Sequence, residues 1–148
     1  MGYTIYIDLS AKEVKKRNEA NAMAWEETCN KIRKAWKKIP KTYKDDYDVS
    51  YEFVGVGDGL GKGEPVINKD YICFNGKGKD SCESFYFGAY EKVEDLDSFC
   101  KTERNGYTMA VMVAILCIKK FYNNALTYSS GGGDKKVWAM AEEIVSKL

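Results

Sequence analysis

Apolar and polar residues alternate from Tyr3 to Leu9. Tyr3, Ile5 and Ile7 fall on one side and Thr4, Tyr6 and Asp8 on the other, the period of a half-buried strand. Ser10-Ala-Lys-Glu13 then reads as a capping box, in which the Ser and Glu side chains satisfy each other's backbone donors. In the helix that follows, Trp25, Cys29, Ile32, Trp36 and Ile39 recur at helical spacing and read as core. Lys34, Lys37 and Lys38 suit the negative end of its dipole, and Pro40 stops it.

Alternation returns at Val49–Val56, and the glycine-rich tract Gly55–Pro65 must be a loop. Tyr71–Phe74 and Cys82–Tyr90 read as strands joined by the turn Asn75–Asp80. In the second of these, Phe85 and Phe87 share one face and Tyr86 takes the other. An acidic stretch, Glu91–Asp97, leads into the connector Phe99–Gly106 and a helix over Tyr107–Tyr122. Ala125–Tyr128 reads as a short strand and Ser129–Gly133 as a glycine loop. Asp134 reads as the cap of a final amphipathic helix through Val137, Trp138, Ala141, Ile144, Val145 and Leu148. The order β-α-β-β-β-α-β-α has neighbouring strands in place of repeated βαβ units. It predicts an α+β fold, a mostly antiparallel sheet of about five strands packed against three helices, in one domain over 1–148.

Composition adds little to the fold and more to the chemistry. Of 148 residues, 45% are hydrophobic and 30% charged, which excludes collagenous, disordered and low-complexity classes. Eleven tyrosines and no histidine are the unusual numbers. Net charge is +1, but residues 1–44 carry 11 Lys/Arg against 5 Asp/Glu and the remainder 12 against 17. That asymmetry suits an anionic partner or internal pairing. Only Arg17, Arg33 and Arg104 are arginine, and sequence-specific DNA reading leans on arginine forks, so such binding is disfavoured.

The five cysteines are odd in number and form no Cys-x-x-Cys pair, and the opening residues lack the pattern of a secretory leader. A cytoplasmic protein with reduced thiols is expected. The longest apolar run, Met109–Ile118, is ten residues, well short of the roughly 20 that a membrane helix needs, so no membrane partner is expected.

Zinc is disfavoured by absent histidine and scattered cysteines, and no metal or other cofactor is expected. Asp45, Asp46 and Asp48, or Glu94, Asp95 and Asp97, are the remaining donors for a hard cation, and neither set has EF-hand spacing. Nucleophilic catalysis lacks its usual histidine base, so no catalytic residue is assigned. Cys100 lies close to two basic residues, Lys101 and Arg104, which would depress a thiol pKa.

Anion binding has better support. Ser129, Ser130, Gly131, Gly132 and Gly133, with Lys135 in the first turn of the next helix, form a strand–glycine loop–helix start of the kind that holds phosphate. Phe99, Lys101, Thr102, Arg104 and Tyr107 form a second segment, with charge, a hydroxyl and rings that can stack on a base. Both precede helices, so an α+β fold can bring them to one edge of the sheet. The loop 55–65, with Lys62, is a third candidate, a flap hinged on glycines.

The segment Phe99-Cys-Lys-Thr, then Tyr107, an apolar helix ending in Lys119-Lys120, and Ser129-Ser-Gly-Gly resembles a pattern in small uncharacterised phage and prophage proteins. Those proteins carry Lys-Pro-Tyr-Asp before the helix and Ser-Ser-Asp-Gly after it. This chain departs at both places, with Arg104-Asn-Gly-Tyr-Thr108 and Ser-Ser-Gly-Gly. The likeness covers the last third and implies an accessory, anti-defence protein of a virus that infects bacteria. Three functions are then expected in order. The first is sequestration of a nucleotide-derived immune signal without catalysis, favoured by homo-oligomers with shared pockets. The second is docking on a host defence protein as an inhibitor, and the third a small metal-dependent hydrolase of such a signal.

Overall fold

The structure, a computed structural model, describes residues 3–10, 22–88, 96–122 and 126–148. Strand β1, Thr4–Leu9, keeps its predicted alternation: Ile5, Ile7 and Leu9 are buried, as is Tyr3 just ahead of it, and Tyr6 and Asp8 are exposed. It is the centre of a three-stranded antiparallel sheet, between β8 (Leu96–Lys101) and β9 (Leu126–Ser130). The capping box at Ser10–Glu13 runs into residues outside the described set. Helix α1, Ala22–Lys38, buries the predicted stripe of Trp25, Cys29, Ile32 and Trp36.

Two short strands, β2 (Thr42–Lys44) and β3 (Ser50–Glu52), make a hairpin in which Tyr43 and Tyr51 stack at 4.9 Å. Strand β6 (Tyr71–Gly76) pairs with β4 (Val56–Gly57), β5 (Val66–Ile67) and β7 (Phe85–Gly88), all antiparallel. Ile72, Phe74, Phe85 and Phe87 face inward, and Tyr86 stacks on Tyr71 outside. Glu83 links this sheet to the first: its N–H donates to the Lys101 carbonyl at 3.2 Å, and its carboxylate accepts the Lys101 N–H at 2.7 Å.

Helix α2, Thr108–Tyr122, is buried on all sides except at Lys119 and Lys120. A helix apolar all round belongs inside, and α2 packs against α1, β9 and α3 (Lys135–Ser146). No described helix is long and apolar enough to cross a membrane.

The α+β class and the three helices stand as expected. The strand count does not: nine strands in three sheets appear among the described residues. Several have only two or three residues, too few to show a period of two. Strand β8 replaces what reads as an acidic stretch and connector, and β9 carries on through Ser129 and Ser130 instead of yielding to a glycine loop.

Candidate functional site

The two predicted segments meet. Because β8 and β9 flank β1, both chains leave the sheet beside Tyr3. The N–H groups of Thr102 and Glu103 donate to the Tyr3 carbonyl at 3.1 and 3.2 Å, and that of Gly131 to the Thr4 carbonyl at 3.2 Å. The turn after β8 requires Glu103 and Arg104 at φ 54° and 60°. Two consecutive non-glycine residues in the left-handed region cost of order 1 kcal/mol or more each, so their surroundings must hold them there.

The Arg104 guanidinium does the holding. Nη1 donates to Asp45 Oδ2 at 3.4 Å and to the Tyr51 hydroxyl at 3.5 Å, and Nη2 to the Gly132 carbonyl at 3.4 Å. Its carbon lies 4.9 Å from the Tyr3 ring centroid. Asp45 is wholly buried and also accepts from the Tyr47 and Val49 N–H groups and the Tyr51 hydroxyl. Burial raises the Tyr51 pKa against the opposing Arg104 contact. All three Arg104 bonds are long, and a guanidinium has five N–H donors. Its hydrogen-bonding capacity is therefore only partly used.

Arg104 opens into a polar cleft of about 450 Å3, whose walls include Tyr51, Glu52, Lys77, Lys79 and Asp80. Lys77 and Lys79 are exposed and form no ion pair among the described residues. Asp80 fixes the entrance to α2: Oδ1 accepts the Gly106 N–H at 2.5 Å, and Asn105 Nδ2 donates to the Asp80 carbonyl at 3.0 Å. Burial raises the Asp80 pKa, and its Oδ2 has no hydrogen-bond partner. Gly106 is obligatory, since a Cβ there would overlap the Glu52 carbonyl.

The glycine loop is arranged differently from a phosphate cradle. The N–H groups of Lys135 and Lys136, the donors a phosphate would take, already donate to Asp46 Oδ2 and Oδ1 at 3.0 and 2.9 Å. These amides, Lys136 first and then Lys135, hold the Asp46 carboxyl below its usual range. The helix start does bind an anion, and it is the chain's own. Asp134 makes no capping bond. Its buried carboxylate accepts from the Tyr3 hydroxyl, from Ser130 Oγ at 2.5 Å and from Trp138 Nε1 at 3.1 Å. Gly132 and Gly133 turn at φ 91° and 71°, with the Tyr47 ring packed on Gly133.

The remaining predicted residues divide between core and surface. Thr102 and Tyr107 are fully buried: the hydroxyls of Thr102 and Thr108 lie 2.8 Å apart, and the Tyr107 hydroxyl donates to the Glu83 carbonyl at 2.7 Å. Phe99, Lys101 and Ser129 lie on the solvated face of the β8-β1-β9 sheet. Phe99 is 60% exposed beside Tyr6, with ring centroids 6.3 Å apart, and Lys101 pairs with Glu103 at 3.2 Å.

Cys100 is not the activated thiol that its neighbours suggest. Strand alternation turns it inward while Lys101 turns out, and burial pushes its pKa up to about 12. The loop 55–65 is tied down by bonds of its own. The Asp58 carboxylate accepts three N–H groups, from Leu60, Lys62 and Gly63, and the Gly61 carbonyl accepts from Gly78. Asp48 pairs with Lys44, so Asp45, Asp46 and Asp48 serve three separate structural roles. Among the described residues no group of three or more His, Cys, Asp or Glu converges as metal donors. Glu94 and Asp95 lie outside the described residues.

Sequence reasoning missed Lys77 and Lys79, which sit in a turn that reads only as a hairpin connection. It also missed Asp45, Tyr51 and Asp46 as partners of the two segments, since no local signal points across such separations. No protein-family profile matches the chain, and no curated protein or solved structure is similar to it.

Proposed function

We propose that this protein is a non-catalytic binding protein that sequesters an anionic, nucleotide-derived ligand in the Arg104 cleft. The observation that carries this reading is the pairing of Arg104, whose donors are only partly used, with Lys77 and Lys79, which have no anionic partner among the described residues. A guanidinium fork and two exposed ammonium groups around a polar cleft suit phosphate oxygens. Its volume of about 450 Å3 lies within the range of ligand pockets. Glu52 on the same wall suits the N–H groups of a base or the hydroxyls of a ribose.

The resemblance to phage proteins supplies the setting. The ligand is then an immune signal of the infected bacterium, held intact in the host cytoplasm, and a second copy of the chain supplies a further wall. A second reading rests on the exposed Tyr6 and Phe99: an inhibitor that docks on a host defence protein through the solvated sheet face.

Calorimetric titration with cyclic nucleotides, ADP-ribose and the matching nucleosides tests the first reading. Nucleotides should bind, nucleosides should not, and affinity should fall as salt rises. Equal binding of both, or affinity that ignores Lys77→Glu, would remove the cleft as the site.

A further inference from the structure

The outer edges of the β8-β1-β9 sheet are finished differently. On β8, Glu83 engages both backbone groups of Lys101, and the strand ends in that charged residue. On β9 the edge is plain: Leu126–Ser130 holds no charge and no proline, two of the features with which proteins blunt an open edge. We propose that β9 pairs with the β9 of a second copy of this chain, antiparallel about a two-fold axis at Tyr128, joining two three-stranded sheets into one.

The direction of the free backbone groups follows from one bond. The Gly131 N–H donates to the Thr4 carbonyl, in a register that sets Ile5 opposite Ser130. Antiparallel alternation then turns the N–H and C=O of Thr127 and Ser129 toward β1, and those of Leu126, Tyr128 and Ser130 outward. Lys119 Nζ donates to the Leu126 carbonyl at 2.7 Å. No hydrogen bond reaches the backbone of Tyr128 or Ser130 from that side among the described residues. The strand is also held stiff for pairing, since the Tyr128 ring stacks on Trp138 at 4.6 Å and the Ser130 hydroxyl accepts from the Trp138 indole at 3.1 Å.

The strand is its own complement. About that axis Tyr128 meets Tyr128 of the copy and exchanges both backbone bonds with it, Thr127 meets Ser129, and Leu126 meets Ser130. Thr127 and Ser129 are exposed on the solvated face, where opposed hydroxyls are favourable and no like charges face each other. The flanking charges fit a copy better than a strand of another protein. Lys120 and Glu142 are exposed beside Tyr128, and neither forms an ion pair among the described residues. One charge of each sign suits a two-fold interface, whereas a partner chosen by charge needs an excess of one sign. The pairing makes no use of the Arg104 cleft.

Sedimentation velocity over an about hundredfold range of concentration, with amide exchange followed by NMR, tests the pairing. Wild-type protein should pass from monomer to dimer and stop there. The Tyr128 amide should gain protection as the dimer forms, while those of Thr127 and Ser129, already bonded to β1, should not change. Thr127→Lys with Ser129→Lys sets lysines opposite each other across the axis and should weaken dimerisation about tenfold. Both positions are exposed, and a melting curve checks that the variant folds. If it does not, the exchange of the Tyr128 amide decides. A monomer at every concentration, assembly that continues beyond the dimer, wild-type dimerisation in the folded variant, or a dimer that leaves the Tyr128 amide unprotected would each overturn the proposal.

Discussion

Asp46 lies 89 residues before Lys135 and still closes the first turn of the last helix. The bond fastens the β2–β3 hairpin to α3, a link that the Asp46 N–H reinforces by donating to the Gly133 carbonyl at 3.0 Å. Helix starts take anions wherever they come from, and here the anion arrives from a distant turn in place of the adjacent Asp134.

Asp46→Asn should therefore lower the melting temperature at pH 7. The folded-state pKa of Asp46 is depressed, so its stabilisation is present above the ordinary carboxylate pKa and is lost as pH falls through the folded value. The gap between wild type and variant should narrow as pH is lowered through that window, as followed by thermal melts. A gap that does not change with pH would mean that the charge on Asp46 plays no part.

Arg104 can be separated into charge and backbone. Arg104→Ala leaves the wholly buried Asp45 without its cation and should cost about 2 kcal/mol in urea unfolding, the scale of a hydrogen bond to a charged group. Arg104→Gly relieves the left-handed backbone and should be less destabilising than alanine by about 0.5–1 kcal/mol. Equal losses would show that the turn carries no strain.

Cys100 should resist alkylation. With its thiol buried and its pKa pushed up to about 12, iodoacetamide at pH 8 should label it only after unfolding, as read by peptide mass spectrometry. Rapid native labelling of Cys100 would contradict the inward orientation of β8 side chains.

The sheet face separates the two functional readings. Tyr6→Ser with Phe99→Ser removes two exposed rings and should leave both folding and nucleotide affinity unchanged. Loss of nucleotide binding in this variant would move the ligand from the cleft to the face.

What was legible in the sequence follows the range of the forces involved. Tyr3, Ile5, Ile7 and Leu9 announce β1 because alternation is local, and Met109–Ile118 announces a buried helix because nothing else tolerates ten apolar residues in a row. Strand β8 stayed hidden because Phe99 faces solvent while the small Cys100 faces the core, which blurs the period. The convergence of the two segments beside Tyr3 was readable from their place before helices. Their contents were not, since the partners of Arg104 come from residues 45, 51 and 132 and the donors of the glycine-loop helix go to Asp46. Long-range pairing of this kind leaves no local signature.

The central claim is that the cleft between Arg104, Lys77 and Lys79 holds an anionic nucleotide-like ligand and returns it unchanged. Native mass spectrometry, after incubation with cyclic nucleotides and ADP-ribose derivatives and then heat release, tests both parts at once. The account predicts a nucleotide adduct on the wild-type chain, released at its original mass and absent from the Lys77→Glu/Lys79→Glu variant. No adduct, an adduct that survives in the variant, or a released species of altered mass would contradict it.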